Sequence, residues 1–375
     1  MDNSVTITDV IAHPMTQRLP TPTLTSWGTY DRVSSVLVEV RSSAGITGVG
    51  ETLARFAPKA YCDLIETALK PRLIGQPAAS IGAHWNNMRR ALSGRAGGIL
   101  IEAIAGVDIA LWDIHGQRTG LPIATLLGGV GRSTVDVYAA SVNWGSDAQA
   151  EAELERYIAA GFVQIKIKIG SDVAASCARI ELMRKSAGDS VALCVDANWA
   201  YDLEGACKVG DALTANGYVW FEEPLPPEDE DGYRALHARC KTPLAAGESN
   251  FVTAQARPLI EERTLSVLQP DVARSGGITE TRRMVDFAAA HGVAYAPHIG
   301  MCGIVCETAS VHLAAAMPNF RIMECETDGS AFKSGIADLP PGSVRQRNSK
   351  VDVPDRPGLG LSIDWSAVAA LHPDL

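Results

Sequence analysis

Carboxylates that return at a fixed rhythm constrain this chain most. Asp196, Glu222, Glu248 and Asp271 each follow a short apolar, strand-like run, at intervals of 26 (222−196), 26 (248−222) and 23 (271−248) residues. A strand, a helix and two loops use about that length in an α/β barrel, where eight such units take roughly 250 residues. Lys168 precedes the series, and His298 and Glu324 extend it. Acids delivered once per βα unit, each at a strand's C-terminal end, point into one barrel mouth.

Eight strand-like runs fall at 135–141, 163–169, 192–196, 219–222, 244–248, 265–271, 294–298 and 321–324. Between them lie amphipathic stretches such as 147–160, stopped by Gly161, and 279–291, stopped by Gly292. Eight strands alternating with helices, without a glycine-rich phosphate turn, favour a closed barrel over an open sheet. Gly48-Val49-Gly50 stands inside a hairpin pattern and is a poor dinucleotide candidate. The first 130 residues read differently. Strand-like stretches at 5–18 and 34–40, a turn at Ser42-Ser43-Ala44-Gly45 and helical stretches at 57–74 and 96–116 describe an α+β unit. The helical stretch at 96–116 is apolar enough to be packed on two sides. The expected fold class is therefore α/β: a barrel over 131–348, an α+β domain over 1–130, and a Pro/Gly-rich segment at 349–375 that returns to that domain.

Charge narrows the partners. A net charge of −10 and a pI near 5.3 argue against nucleic acid and anionic membranes, which need a basic face. No run of about 20 apolar residues suggests a membrane span, and the first residues lack a basic-then-apolar secretory pattern. A cytoplasmic location is expected, where the eight cysteines stay buried or free thiols. Cys302 and Cys306 sit near His298, but no second Cys or His pair stands at zinc-ligand spacing.

The mouth carries the chemistry. Asp196, Glu222 and Glu248 would offer oxygen ligands from three adjacent strands, which suits a hard divalent cation. Mg²⁺ fits best and Mn²⁺ can substitute. Isolated barrel-mouth acids would more often pair with basic residues, but few basic residues stand nearby. In Gln164-Ile165-Lys166-Ile167-Lys168 the strand alternation sends both lysines inward and the isoleucines outward. Two ammonium groups confined together disfavour each other's charge, so one lysine should become a usable base. Asp271 and His298 end neighbouring strands, where a carboxylate can fix an imidazole tautomer. A protonated Glu324 could donate a hydrogen bond to a developing oxyanion; an ionised one would pair with a base. A metal with a lysine on one side and a histidine on the other suits removal of the proton next to a carboxylate, giving an enediolate.

At this point the chain resembles the mandelate racemase branch of the enolase superfamily along nearly its whole length. The motifs that carry the likeness are KIKIG at 166–170, VDAN at 195–198, FEEP at 221–224, GE at 247–248, QPDVARSGG at 269–277, PH at 297–298 and IMEC at 322–325. VDIALWDIHG at 107–116 is similar to the segment before the barrel in these enzymes. The resemblance implies a capping domain over a modified TIM barrel, (β/α)7β. It implies Mg²⁺ on Asp196, Glu222 and Glu248, Lys168 as one base with its pKa lowered by Lys166, and His298 with Asp271 as the opposite acid/base. It further implies that Glu324 contacts the enolate and Asn198 the substrate carboxylate. Muconate-lactonising and dipeptide-epimerase branches place a lysine where Asp271 stands, which sets this chain in the His-Asp branch.

Chemically adjacent outcomes remain open: dehydration of a sugar acid, ring opening of a lactone or anhydro sugar acid, and racemisation or epimerisation. The branch's commonest activity is sugar-acid dehydration, while KIKIG, DAN and QPD also resemble galactarolactone cycloisomerases. Loops at 21–31 and 51–56 should cover the substrate, with Trp27, Tyr30 and Phe56 as contacts or, equally, as packing between domains. The resemblance implies a homo-oligomer, with an octamer among the options. A metal-free glycoside hydrolase using Glu222 and Glu248, or a barrel without catalysis, is the competing class. The two inward lysines speak against the first, and the complete set of metal ligands and both bases against the second.

Overall fold

The computed structural model describes residues 4–25, 28–94, 97–129, 131–170, 172–326, 331–338 and 346–372. Strands β1 (Ile7–Thr25), β2 (Gly28–Ser42) and β3 (Thr47–Leu53) form an antiparallel sheet in that order. Gly45, at φ +74°, makes the turn between β2 and β3. The helix Ile99–Thr119 lies across this sheet and is buried along most of its length. One side meets the sheet and the other meets a barrel helix, Gly277–Ala290. A Cβ on Gly50 would stand 1.8 Å from the Gly106 carbonyl oxygen, and one on Gly48 2.2 Å from that of Ala110. The Gly48-Val49-Gly50 motif is thus a seam where strand and helix backbones touch.

The barrel consists of β4 (Thr134–Val142), β5 (Gln164–Lys168), β6 (Ala192–Asp196), β7 (Phe221–Glu222), β8 (Leu244–Ala246), β9 (Val267–Leu268), β10 (Ala294–Tyr295) and β11 (Met323–Glu326). Neighbours pair in parallel from β4 to β10, and β11 pairs with β4. The Tyr295 amide donates to the Asn319 carbonyl at 2.9 Å and the Arg321 amide to the Tyr295 carbonyl at 2.8 Å, which closes the ring. A helix of at least eight residues follows each of β4 to β10, whereas β11 is followed by the four-residue turn Ala331–Ser334. The fold is a (β/α)7β barrel with an α+β capping domain.

Alternation on β5 decides what reaches the mouth. Ile165, Ile167 and Ile169 join the core between strands and helices, and each fully buried isoleucine contributes about 2 kcal/mol. Lys166 takes the inner face. Below it Tyr138, Cys194, Trp220, Ala245, Val267 and Ala296 fill the bore, so its charged groups stand at the upper end. After the barrel, Lys350–Asp352 pairs antiparallel with the start of β4. The Leu359 amide then donates to Asp113 Oδ1 at 2.9 Å, and the helix Trp365–Ala370 ends where the Thr16 amide donates to the Leu371 carbonyl at 2.7 Å. The tail therefore ties the barrel's foot to the capping domain. No helix among the described residues is long and apolar enough to cross a membrane.

Candidate active site

In the parallel ladder Lys168 lies opposite Asp196, and Asp196 opposite Glu222, so their side chains leave the sheet at one level. Glu248 follows Gly247, whose φ of +139° and whose closeness to the Gln269 amide (2.8 Å from a would-be Cβ) exclude a side chain. One carboxylate oxygen from each of Asp196, Glu222 and Glu248 lies within 4.8 Å of the others, and all three residues are buried. Burial, with Asp196 and Glu324 adding repulsion, pushes the Glu222 carboxyl up to about 7 despite Lys166. An all-carboxylate set in which one member is reluctant to ionise without more positive charge fits a hard divalent cation. Glu223 turns the other way, at φ +43°, and accepts from Trp199 Nε1 (2.8 Å), Tyr233 Oη (3.1 Å) and the Gly247 amide (2.9 Å).

On one side of this floor stand the lysines. Lys166 Nζ lies 2.6 Å from Glu324 Oε1, 2.7 Å from Glu222 Oε1 and 3.6 Å from Asp196 Oδ2, with the Tyr138 ring 5.7 Å away. Lys168 Nζ donates to Asp196 Oδ2 and, at 3.0 Å, to Asn198 Oδ1. Lys166 is surrounded by acids. Burial disfavours its charge, but Glu222 and Glu324 outweigh burial and hold the ammonium well above the ordinary lysine range. Of the two alternatives for Glu324 the ionised, paired one fits: burial opposes its charge, but Lys166 and His298 hold its carboxyl down at about 2.

On the other side stands His298. Its Nδ1 lies 2.8 Å from Asp271 Oδ2, and its Nε2 lies 2.9 Å from Glu248 Oε2. Burial disfavours the imidazolium, yet Glu248, Glu324 and Asp271 together raise its pKa well above the usual range. Asp271 is fixed in turn, its Oδ1 accepting from the Ala273 amide at 2.8 Å, with Cys306 Sγ 3.7 Å away.

The loops behind His298 are held by buried acids of the capping domain. Glu51 accepts from the Gly303 and Cys306 amides at 2.6 and 2.9 Å, at the start of the helix Ile304–Ala316. Glu102 accepts from Arg274 Nε at 3.1 Å and from Tyr61 Oη at 2.5 Å. Asp108 accepts from the Thr279 amide at 2.9 Å. Glu51 and Asp108 satisfy backbone N–H groups at helix starts, which lack partners within the helix, whereas Glu102 holds two side chains.

Between the two sides opens a cavity of about 630 Å³, counting its mouth. Lys168, Asn198, Glu248, His298 and Glu324 line it together, whereas the buried Asp196, Glu222, Lys166 and Asp271 lie beneath or behind. Tyr30 lines the cavity from the capping domain and stacks on Phe56 at 5.5 Å, but Phe56 itself is 73% exposed and off the cavity wall. Trp27 lies outside the described residues. The sequence argument did not single out Arg55, Asn143, Trp199, Met301 or Glu326, all of which line the cavity. Glu326 had a signal, since it stands two residues beyond Glu324 on the same strand face. Gln269 had the same one, two residues before Asp271, and it donates to Glu222 Oε2 at 2.8 Å.

Comparison with known proteins agrees with this geometry. The family model "Enolase C-terminal domain-like" matches residues 149–367, and "Mandelate racemase / muconate lactonizing enzyme, N-terminal domain" matches 6–128. The chain is 33% identical to the D-galactarolactone cycloisomerase of Agrobacterium fabrum, covering 98% of this chain and 99% of that one. It is 32% identical to the arabinonate dehydratase of Saccharolobus solfataricus, covering 88% of each. A crystal structure of a racemase from Streptomyces coelicolor A3(2) with bound magnesium superimposes with a TM-score of 0.89 at 28% identity, covering 97% of this chain and 99% of that one. The chain belongs to the mandelate racemase group of the enolase superfamily.

Proposed function

We propose that this chain is a Mg²⁺-dependent dehydratase of sugar acids, aldonates or aldarates, that yields 2-keto-3-deoxy acids. The observation that carries the reading is that Lys168 and His298 face one cavity from opposite sides of one carboxylate floor. Asp196, Glu222 and Glu248 would hold the ion. When bound, Mg²⁺ lowers the cost of the negative charge that develops on the substrate carboxylate. Mn²⁺ serves in its place.

The chain's own residues carry the proton steps. Lys168 takes the proton from C2. The freed electron pair forms the C2–C3 double bond as the C3–O bond breaks. His298, oriented by Asp271, donates the proton with which that oxygen leaves as water. The enol then takes a proton at C3 and becomes the ketone. Asn198 anchors the substrate carboxylate, Lys166 keeps Glu222 and Glu324 in place, and Tyr30 covers the site. A homo-oligomer in the cytoplasm is part of the same reading.

A second reading is ring opening of a sugar-acid lactone, favoured by the likeness to the Agrobacterium cycloisomerase over the full length of both chains. The same bases would act, and the oxygen expelled would belong to the ring. A glycoside hydrolase is disfavoured because Glu222 is engaged by Lys166, Gln269 and Trp220 beneath the floor and cannot flank a sugar with Glu248. The test is a screen of aldonates, aldarates and their lactones with Mg²⁺, reading 2-keto product and solvent deuterium at the α-carbon. Turnover that survives chelation would overturn the proposal.

A further inference from the structure

Most of the polar side chains that line the cavity are engaged by the protein itself. Lys168 is paired with Asp196, Glu324 with Lys166, and Glu248 with His298, while Asn198 accepts from Lys168. Glu326 lies 2.9 Å from Lys333 Nζ and accepts from the Met301 amide at 2.9 Å. Asn143 is different. It follows β4 directly, and its two backbone groups are taken by the helices behind it. The amide donates to Glu153 Oε2 at 2.8 Å, and the carbonyl accepts from Arg179 Nη2 at 2.5 Å. Asn143 is half-buried and lines the cavity, and its carboxamide has no partner among the described residues.

The clamp on Asn143 is built from groups that are unfavourable to bury. Glu153 and Arg179 come from two helices, Asp147–Ala159 and Val173–Ala187. Arg179 is 4% exposed, and its Nε has no partner among the described residues. An arginine offers five donors, and leaving one unused in a buried position opposes folding. The Arg179 guanidinium lies 5.0 Å over the Trp144 ring, and that ring fills the space beside Gly170, 2.6 Å from a would-be Cβ. The residue after Asn143 is therefore wedged as well.

Register sets where the carboxamide stands. Val142 lies opposite Ile167, so Asn143 is level with Lys168 on the neighbouring strand. Around the ring β4 is four strands from β8, the strand before Glu248. An acid whose carboxylate sits on the side of β6, β7 and β8, and whose C2 faces Lys168, directs its remaining carbons to the far side, where β4 ends. A carboxamide carries no charge but offers two donors and an acceptor. Two hydroxyls on adjacent carbons complement it: one accepts from the amide N–H, and the other donates to the amide oxygen. We propose that Asn143 binds a pair of neighbouring hydroxyls on the substrate carbons beyond C3, so that the site selects polyhydroxy acids over short hydroxy acids. The proposal rests on the sugar-acid reading above and narrows it.

The test compares a six-carbon sugar acid that turns over in the screen with 2,3-dihydroxypropanoate, which keeps the carboxylate, C2 and C3 and has no further hydroxyls. Binding is measured by calorimetry with Mg²⁺ on a Lys168→Ala protein, with Asn143 intact or replaced by Leu. Both clamps hold the backbone of Asn143, so a side-chain replacement leaves them in place. Asn143→Leu should weaken binding of the six-carbon acid about 10- to 50-fold, the size of two lost neutral hydrogen bonds, and leave the three-carbon acid within about 2-fold. With Lys168 intact, kcat/KM should show the same split. Arg179→Met should give a smaller loss with the same selectivity, and the double variant should select no worse than Asn143→Leu alone, because Arg179 acts through Asn143. A merely structural arginine would lower the melting temperature without moving the selectivity. An equal loss for both acids on Asn143→Leu, or none for either, would overturn the assignment of Asn143 while sparing the dehydratase reading. Failure of every acid in the screen to exchange its α-proton would instead remove that reading.

Discussion

The two sides of the barrel mouth are supported in different ways. The lysine side is internal to the barrel: Lys166 and Lys168 are placed by strand alternation and held by acids of neighbouring strands. The histidine side is anchored from outside. Its loops are pinned by Glu51, Glu102 and Asp108, which the capping domain buries against them. The lysine side thus depends on the barrel alone, and the histidine side on the docking of two domains. The same capping domain also supplies Tyr30 and Arg55 to the cavity.

Removing the bases tests the two sides most directly. Lys168→Ala and His298→Asn should each lower turnover by about 10³-fold, within the range for lost general acid–base catalysis. His298→Asn should still exchange the substrate α-proton with solvent through Lys168, read by NMR in D₂O, whereas Lys168→Ala should not. If both retained full turnover, neither residue would be a base.

The next effect separates support from chemistry. Glu51→Ala would strand the Gly303 and Cys306 amides and cost roughly 3 kcal/mol, from two unsatisfied buried donors. Thermal denaturation would show the loss. Beyond stability, dehydration, which uses His298 as the acid, should slow while α-proton exchange through Lys168 is retained. Equal slowing of both would mean that the anchor serves the whole barrel and that the two sides are not independent.

These two sides were not equally legible in the sequence. The floor and the lysines follow from a period: one strand per 23 to 26 residues fixes the level of Asp196, Glu222 and Glu248, and a period of two fixes Lys166 and Lys168. The His298–Asp271 pair follows from adjacency of strands. The anchors follow from no period. Glu51 meets Gly303 across 252 positions and Glu102 meets Arg274 across 172, contacts that only the docking of the domains creates. Within Ile99–Thr119, Glu102 and Asp108 are isolated acids in an apolar helix, a hint that each has a buried partner but not which. The same holds for Arg55, one basic residue among many until the cavity is known. The charge states of Lys166 and Glu324 were not legible either, because the structure surrounds each with several partners: Lys166 with Glu222, Glu324 and Asp196, and Glu324 with Lys166 and His298.

A pH experiment reads the anchor alone. Burial, only partly offset by bonds from Thr279, raises the Asp108 carboxyl to about 7 from an ordinary value of 3.8. The folded pKa lies above the unfolded one, so Asp108 favours the folded state most below pH 3.8, and this contribution is lost as pH rises through about 7. Asp108→Asn should remove that dependence. The stability of the wild type relative to Asp108→Asn should fall by roughly 1 kcal/mol per pH unit between pH 4 and 7 and then level off. A flat difference across that range would show that Asp108 is ionised throughout.

The smallest effect belongs to the outer edge of the capping-domain wall. Phe56 is 73% exposed and touches the cavity only through Tyr30, on which it stacks at 5.5 Å with the planes 25° apart. Stacking of this kind is worth about 1 kcal/mol, and an exposed ring contributes little burial beyond it. Phe56→Ala should therefore leave kcat and the melting temperature nearly unchanged and raise KM about 2- to 5-fold, as Tyr30 loses its support over the bound substrate. A fall in kcat instead would place Phe56 closer to the chemistry than its exposure allows and would extend the capping domain's hold from the histidine loops to the cavity itself.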